Sequence, residues 1–363
     1  MPQEKRIKKI IDNLERTVRD AGCRQGWYPG AAGQTGQTGQ TGQKVLVALS
    51  GGGDSMALLA LLRRLLGDGV EAAHLEHGFR GETSLRDADF VRDYCDRVGV
   101  RCHIRHAPVD KLRRRGESSE TAGRRIRYEF LLEVARERGL PFIATGHTAD
   151  DVVETVLFNL FRGTGLAGLS GIPEVMRLDA APEWLVVRPL IGCTRSDLRL
   201  YLAENGVPWC EDETNDQNAY SRNRIRNELL PWVRRNVNER ADDALLGLSR
   251  ECASLNGSIE REARSSLSRL AAESPVALAA WNLRAARDIP AEKLPYVIRA
   301  QGRALSLPVL DRARTLDLCA LISRSGRWRF QWAGDIEVCA ARPLIGWVRR
   351  GDLERWRASV QEK

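Results

Sequence analysis

Short apolar runs alternate with longer amphipathic segments between residues 44 and 162. The runs VLVAL, VEAAHL, RCHIRHA and PFIAT are typical of strands, and the segments after them predict helices over 56–66, 87–98, 119–138 and 149–162. Because strand and helix alternate strictly, we predict an α/β fold with a doubly wound parallel sheet covered on both faces. Such sheets bind ligands outside the carboxyl ends of their strands.

The N-terminal segment follows a helical pattern. Ile7, Ile10, Ile11, Leu14 and Val18 recur at the spacing of one helix face. We therefore expect the first twenty or so residues to form an amphipathic helix that packs on another part of the protein.

The rest of the chain divides into segments that differ in composition and in apolar pattern. The repeat GQTGQTGQTGQ predicts a flexible linker over 33–43, because Gly and small polar side chains bury too little surface to offset the entropy of ordering. It separates an N-terminal helix and extension, 1–32, from a sheet domain over 44–225. Residues 226–363 are predicted to form a helical linker region and a small C-terminal α+β domain, since RWRFQW and IEVCAARPLIGWV alternate as strands do.

Composition adds a partner and a compartment to this picture. The net charge of +8 and the pI near 9.2 favour a polyanionic partner, although a merely basic protein has the same balance. The eight cysteines form no C-x-x-C pair and no cluster with zinc spacing. The N-terminus has no apolar signal core, and no run of apolar residues is long enough to span a membrane. We expect a cytoplasmic protein with no membrane partner.

The strongest chemical signal is the string SGGGDS between the first strand and a leucine-rich helix. Ser50, Gly51, Gly52, Gly53 and Ser55 let the backbone and the hydroxyls approach phosphate oxygens, and a helix N-terminus adds partial positive charge. The alternative is a tight glycine turn that only packs the helix on the strand.

The acidic residue of this string, Asp54, points to a metal. A lone carboxylate that faces phosphates repels them, so we expect Asp54 to act through a bound Mg²⁺. Two other phosphate-binding motifs are excluded. A Walker loop needs Gly-Lys-Ser/Thr, which this loop lacks, and the G-x-G-x-x-G string at 163–168 follows a predicted helix instead of a strand.

The string SGGGDS resembles the PP-loop of the N-type ATP pyrophosphatase superfamily, which has an adenine nucleotide alpha hydrolase-like fold. Four further strings follow it in order: HLEHGFRGETSLRDADFV, ETAGRRIRYEFL, ATGHTADDVVETVLFNLFRGTGLAGLSGI and WCEDETNDQNAYSRNRIRNELLP. Together they resemble the tRNA(Ile)-lysidine synthetase family over most of residues 44–250.

The resemblance implies a reaction in two steps. ATP adenylates the oxygen on carbon 2 of the wobble cytidine in an isoleucine tRNA with a CAU anticodon, and the ε-amine of L-lysine then displaces AMP to give lysidine. The family also implies ATP and Mg²⁺ as cofactors. It implies a homodimer as well, although the residues themselves do not indicate one.

Three residues after the fourth strand suit the lysine step. His147, Asp151 and Glu154 stand at i, i+4 and i+7, so they can share one helix face at the carboxyl edge of the sheet. Carboxylates there can hold a cationic lysine and help to remove its proton. The alternative is an acidic helix N-terminus favoured by the macrodipole, which suits Asp150 and also fits Glu154.

Two pairs of arginines suit phosphate and RNA. Arg124 and Arg127 stand three residues apart, where fixed charge stabilises phosphate or a developing oxyanion. The alternative, an exposed basic helix face, suits Arg125 better. Arg222 and Arg226 stand four apart, and the resemblance assigns their segment to contact with ATP and tRNA; a solvated basic stripe is the alternative.

Two other classes of function compete with this one. A PP-loop enzyme of different chemistry, such as a tRNA-thiolating enzyme, shares the loop, but such relatives typically carry paired cysteines. A non-catalytic nucleotide sensor or RNA-binding protein on the same scaffold would not need His147, Asp151 and Glu154 beside an intact loop.

Overall fold

The computed structural model describes residues 3–29, 43–76, 82–114, 116–178, 181–211, 221–324 and 326–361. The chain forms two compact units, Met1–Glu251 and Cys252–Lys363. The predicted linker over 33–43 lies outside the described residues except for Gln43, and parts of the first and fourth family strings lie outside them as well.

The first unit contains a six-stranded sheet. Its strands are β1 (Val45–Ala48), β2 (Val70–Glu76), β3 (Cys102–His106), β4 (Phe142–Ala144), β5 (Val175–Leu178) and β6 (Ala181–Val187). The strand order is β3-β2-β1-β4-β6-β5, and all neighbouring pairs are parallel except β5 with β6. The predicted parallel sheet is therefore confirmed, with an antiparallel edge strand that the sequence pattern does not predict.

Helices surround this sheet. They are α1 (Gln3–Gln25), α2 (Gly53–Leu66), α3 (Glu82–Val98), α4 (Val109–Leu112), α5 (Ser119–Arg138), α6 (Ala149–Phe161), α7 (Leu166–Leu169), α8 (Arg195–Glu204), α9 (Ser221–Arg224) and α10 (Leu230–Asn236). The long α11 (Ala241–Leu270) begins in the first unit and continues into the second. A 3₁₀ turn covers Gly67–Gly69, and a π-helix, Ile225–Leu229, connects α9 to α10. No helix among the described residues is both long and apolar enough to cross a membrane.

Strand β1 shows how the two faces are filled. Val45 and Val47 belong to one apolar core, with side chains of α2, α3 and α8, whereas Leu46 belongs to a second core on the side of α5. This alternation follows from the two-residue period of a strand. The predicted N-terminal helix is confirmed as α1, and its Leu14 and Val18 are buried in the first of these cores.

The topology fixes where a ligand can bind. Strand β1 pairs with β2 on one side and with β4 on the other, so the chain order reverses direction at β1. A crevice opens at such a switch point, outside the carboxyl ends of the strands. The helices that follow β1 and β4 are α2 and α6, and their N-termini therefore meet at this crevice.

The second unit is built on an antiparallel sheet of order β7-β10-β9-β8. The strands are β7 (Ala279–Asn282), β8 (Trp328–Ala333), β9 (Ile336–Ala341) and β10 (Leu344–Arg349); the helices are α12 (Leu283–Arg287), α13 (Leu294–Ala304), α14 (Arg312–Ser323) and α15 (Leu353–Gln361). Trp281, Trp332 and Trp347 are fully buried on one face of the sheet, and Trp356 is fully buried on the other. The predicted small C-terminal α+β fold is confirmed.

Candidate active site

The SGGGDS loop is shaped by its own hydroxyl groups. Ser55 Oγ accepts a hydrogen bond from the Ser50 N–H at 3.1 Å and donates one to the Gly52 carbonyl at 2.9 Å. Ser50 Oγ lies 3.0 Å from Ser55 Oγ. The two serines therefore hold the turn in place before any ligand binds.

Two glycines are required by this geometry. Gly51 has φ +89°, a left-handed conformation that glycine adopts without strain. Gly146, between β4 and α6, approaches the backbone of α2 so closely that a Cβ on it would lie 3.2 Å from the Asp54 carbonyl carbon. The loops after β1 and β4 are thus packed backbone to backbone.

The N-terminus of α2 differs from those of α5, α6 and α8. α5, α6 and α8 begin at Ser118, Thr148 and Thr194, whose side chains accept hydrogen bonds from backbone N–H groups in the first turn. α2 begins at Gly52, and no side chain of the described residues caps it. Since the first N–H groups of a helix have no partner within the helix, those of α2 are available to an anion.

A cavity of about 520 Å³ opens in front of this N-terminus. Its walls are the SGGGDS loop, the carboxyl ends of β1 and β2, and residues of α5, α6 and α8. Of the residues predicted from sequence, the cavity collects Ser50, Gly52, Gly53, Asp54, Ser55, Arg124, Arg127, His147 and Asp151. Gly51 lies in the same loop behind this wall, where its Cα faces Val91.

One arginine links the acidic residues on one side of the cavity. Arg195, in the first turn of α8, donates from Nε to Asp54 Oδ2 at 3.2 Å. Its Nη2 donates to Asp151 Oδ1 at 2.5 Å, and its Nη1 donates to Glu154 Oε1 at 2.7 Å. The guanidinium therefore joins α2, α6 and α8 at the switch point.

Glu154 lies deeper and has further cationic partners. Its side chain is 1% exposed, and Arg226 donates to both of its oxygens, at 2.7 and 2.9 Å. Arg222 Nε lies 3.4 Å from Glu154 Oε2, and Arg222 Nη2 donates to Thr155 Oγ1 at 2.5 Å. The structure thus brings the predicted Glu154, Arg222 and Arg226 together, in an ion-pair cluster behind the cavity wall.

Burial and ion pairing shift the pKa values of Asp54 and Asp151, two of the carboxylates that line the cavity, in opposite directions. Burial raises the pKa of Asp54 above its ordinary value, and Arg195 offsets this only in part. Burial acts in the same direction on Asp151, but Arg195 and the Thr148 N–H outweigh it, so the pKa of Asp151 is lowered. Asp151 is therefore held firmly in its charged form.

The spacing in the sequence groups His147 with Asp151 and Glu154 on one helix, but His147 lies before that helix begins. It precedes the N-cap Thr148, and its Nδ1 lies 3.0 Å from Thr145 Oγ1. Burial lowers the pKa of His147 to about 4, and the positive charge of Arg188 adds to this effect. The imidazole is neutral at pH 7.

The opposite wall of the cavity is basic. Arg124 stacks on Tyr128, with its Cζ 5.0 Å from the ring centroid. Arg127 faces the cavity among surrounding protein atoms, and this partial desolvation lowers its pKa. Arg125, for which the sequence favours an exposed helix face, instead donates to Glu117 and Glu129 and is only partly exposed.

The cavity offers one feature that suits a divalent cation. Asp54 Oδ1 is buried and forms no hydrogen bond in the described part of the chain. No group of three or more acidic, His or Cys side chains among the described residues is arranged around a common metal position. A cation held by Asp54 would therefore take its other ligands from phosphate oxygens and water, as Mg²⁺ commonly does.

Three arginines at the site were not predicted from sequence. Arg195 joins the carboxylates; Arg199 lines the cavity and stacks on Trp209, with its Cζ 5.0 Å from the ring centroid; Arg188 is buried at the end of β6. Arg195 and Arg199 follow the last parallel strand. The rule that helices after parallel strands begin at the ligand edge therefore identifies the first turn of α8 as a place to look.

The part of the chain that forms the cavity resembles known proteins. The family model of the PP-loop domain matches residues 31–233. A tRNA(Ile)-lysidine synthase from Clostridium perfringens is 37% identical over 214 residues, which cover 58% of this chain and 44% of that protein. One from Chlorobaculum tepidum is 41% identical over 193 residues, or 52% of this chain and 56% of that protein.

In its fold alone, the chain resembles a solved structure. A U34-tRNA thiolase from Methanococcus maripaludis, solved with its [4Fe-4S] cluster, superposes with a TM-score of 0.51 at 18% identity, covering 68% of this chain and 80% of that one. The chain spans about half the length of the curated relatives it matches.

Proposed function

This chain belongs to the PP-loop domain family, and on that premise we propose that it uses ATP to ligate L-lysine to carbon 2 of the wobble cytidine in an isoleucine tRNA with a CAU anticodon. The observation that carries the proposal is the uncapped N-terminus of α2 at the cavity. The names of the relatives, which match over about half of each chain, support the choice of substrates.

The first step would be adenylation. The oxygen on carbon 2 of cytidine attacks the α-phosphorus of ATP, and the bond from that phosphorus to the pyrophosphate oxygen breaks. The first backbone N–H groups of α2, which no side chain of the described residues caps, would bind the departing pyrophosphate. The charges of Arg124 and Arg127 on the opposite wall would stabilise the negative charge that builds up on the α-phosphate.

The proposal includes Mg²⁺, which Asp54 would bind. Its buried, unpartnered Oδ1 would hold the ion, which when bound would neutralise charge on the phosphates. Arg195 keeps the other oxygen of Asp54 in place.

The second step would be displacement by lysine. The ε-amine attacks carbon 2, the bond from carbon 2 to the adenylated oxygen breaks, and AMP leaves. Asp151 stays ionised, so it suits an ammonium group that must be held near the base. The neutral His147 can accept a proton from the amine but does not retain it at pH 7, so the proton passes on to solvent.

We assign the remaining predicted residues to supporting roles. Both oxygens of Glu154 already accept from guanidinium groups, so Glu154 would position Arg195 and Arg226 instead of binding lysine directly. Arg222 and Arg226 lie on α9 and the π-helix, where they would contact the nucleotide or the RNA at the edge of the cavity. A cytoplasmic location and a homodimer remain predictions within this proposal.

The decisive experiment supplies purified protein with ATP, Mg²⁺, labelled L-lysine and an unmodified isoleucine tRNA with a CAU anticodon. We expect label in the tRNA, together with AMP and pyrophosphate, and we expect none when the wobble cytidine is replaced. AMP release without lysine incorporation would indicate a different PP-loop chemistry. Neither AMP release nor ATP–pyrophosphate exchange would indicate a binding protein.

A further inference from the structure

A groove of about 800 Å³ lies in the first unit, away from the cavity. It runs between the C-terminal end of α6 and the helical segment that starts at α9. We call it the aromatic groove and define it by Phe158, Phe161, Arg162, Arg224, Leu229 and Trp232. None of these residues has a part in the proposed chemistry, although Arg224 lies in the same segment as Arg222 and Arg226.

The aromatic groove exposes large apolar side chains. Phe161 is 65% exposed and Trp232 is 53% exposed, and the neighbouring Leu160 is 47% exposed. Large aromatic side chains are rarely left in water, and an apolar patch of this kind usually marks a binding surface.

These exposed aromatics are not needed to hold the helices together. Beneath the groove, a separate core of Val153, Leu157, Ile225 and Leu230 packs α6 against the π-helix and α10. Since these four side chains are at least nine-tenths buried, the helix pair has its own apolar contact. Phe161 and Trp232 are therefore available for a partner.

The rim of the aromatic groove is basic. Arg162 stacks on Phe158, with its Cζ 5.1 Å from the ring centroid. Arg224 lines the groove, and no carboxylate of the described residues is paired with Arg162 or Arg224. Glu228, the one acidic residue among the described residues that line the groove, already has an interaction partner. Aromatic faces beside arginines fit the bases and phosphates of a single-stranded nucleic acid better than an apolar protein surface.

The position of the aromatic groove relates it to the cavity. Asp151 lies in the first turn of α6, and Phe161 is the last residue of the same helix. Ten residues of α-helix separate them, a distance of about 15 Å along the axis. A short stretch of unstacked RNA can span this distance, so a strand with one base in the cavity can place a neighbouring base in the groove.

We propose that the aromatic groove binds an unpaired base that flanks the target nucleotide of the RNA substrate. The base would stack on Trp232 and Phe161, and Arg162 and Arg224 would contact the adjoining phosphates. This inference rests on the proposed function, because it takes RNA as the substrate. It assigns the groove to substrate affinity, separate from the chemistry at the cavity.

The test measures binding of a fluorescently labelled anticodon stem-loop with a CAU anticodon to the full chain. Trp232→Ala and Phe161→Ala should each raise the Kd about tenfold, the size expected for the loss of one base–aromatic stack. Trp232→Phe should restore most of the affinity, because it keeps an aromatic face. Leu112→Ala removes a side chain that is 49% exposed on α4 and serves as the matched control.

Abasic stem-loops sharpen the test. Removing one base at a time from the loop should identify a position whose loss raises the Kd of the unsubstituted protein but not that of the Trp232→Ala variant. At saturating RNA, the variants should incorporate lysine at a rate close to that of the unsubstituted protein. Thermal unfolding of each variant shows whether the fold is retained.

Three results would overturn the inference. They are equal Kd values for the alanine variants and the Leu112→Ala control, no binding of the stem-loop by the unsubstituted protein, or a change in sedimentation that shows the groove to join two copies of the chain. RNA binding that depends on Trp232, without any lysine incorporation, would support the groove and reject the proposed function.

Discussion

The N-termini of α2 and α6 lie side by side and are built in opposite ways. Each helix follows a parallel strand at the switch point, and each has an acidic residue in its first turn. α6 satisfies its own N–H groups with a capping box between Thr148 and Asp151, whereas α2 begins with glycine and has no side-chain cap among the described residues. A capped end holds its side chains still, and an uncapped end leaves its backbone to a ligand.

Because of this difference, the N-termini of α2 and α6 contribute different groups to the site. The backbone of α2 presents donors, which suit pyrophosphate, and the side chains of α6 present Asp151 and Glu154. Arg195 connects the two helices by donating to carboxylates of both. Substitutions that act on one end, on the connection or on the cap should therefore have distinct effects.

The largest effect is expected at the uncapped end. Asp54→Ala should reduce AMP formation at least about a thousandfold, because the site loses the Mg²⁺ that Asp54 would hold and that would neutralise charge on the phosphates in a low-dielectric site. Affinity for tRNA should stay within about twofold of the unsubstituted value, since Asp54 faces the nucleotide. Asp68→Ala, which removes an exposed carboxylate just beyond the C-terminal end of α2, is the matched control and should retain most activity. Turnover left intact by Asp54→Ala would remove this residue from the mechanism.

The next largest effect is expected when the contacts of Arg195 with α2 and α6 are removed. Arg195→Met leaves Asp54, Asp151 and Glu154 without their shared cation, so the free energy of unfolding should fall by about 3–5 kcal/mol. Activity should fall about a hundredfold as the two helices lose their alignment. Urea unfolding and single-turnover assays measure the two effects.

A lysine at the same position separates charge from geometry. Arg195→Lys keeps the positive charge but not the planar fork with three contacts, so it should recover part of the stability and little of the activity. Full activity in the lysine variant would show that charge alone is sufficient.

The cap of α6 should matter less. Thr148 is fully buried, and its hydroxyl accepts from the Asp151 N–H and donates to Asp151 Oδ2. Thr148→Val should lower the free energy of unfolding by about 1 kcal/mol and reduce lysine incorporation a few fold by loosening Asp151. Thr148→Ser keeps the hydroxyl and should behave like the unsubstituted protein; destabilisation by Thr148→Ser but not by Thr148→Val would show that the methyl group matters and the cap does not.

The smallest effect concerns pH. His147 has a pKa of about 4 in the fold, against 6.5 for an ordinary histidine. The unfolded chain therefore takes up the proton first as the pH falls, and stability decreases from about pH 6.5 down to about pH 4. Between pH 7.5 and 6 the loss is about 0.8 kcal/mol. In His147→Asn this part of the slope should vanish from urea unfolding curves; an unchanged slope would place the effect elsewhere.

The sequence predicts most of the sheet unit because its signals are local. Apolar periodicity places β1 to β4 and the helices after them, and α5 begins and ends where the pattern indicates. The edge strand β5 and the strand β7 are missed, since each has only four residues, and β7 obtains its pairing from β10, which lies far along the chain. Short strands carry too little pattern to be distinguished from loops.

The site is predicted less completely for a related reason. The SGGGDS loop is a continuous string, so its placement at a helix N-terminus follows from its neighbours. Arg195 stands 141 positions from Asp54, and nothing in its local sequence indicates that they meet. Partners for His103 and His106 are likewise not evident from sequence, yet they lie against Glu71 and Glu76 on the adjacent strand.

The π-helix Ile225–Leu229 sets the helical phase between two binding surfaces. Its hydrogen bond from the Leu230 N–H to the Ile225 carbonyl spans five residues instead of four. A π-helical turn accommodates one residue more than an α-helical turn, so the residues beyond it keep the orientation that a regular helix one residue shorter would give them. Deleting one residue there would therefore restore an α-helical turn and keep Trp232 in the aromatic groove, whereas inserting one would rotate every residue beyond it by about 100°. This stretch should thus tolerate the loss of a codon better than the gain of one.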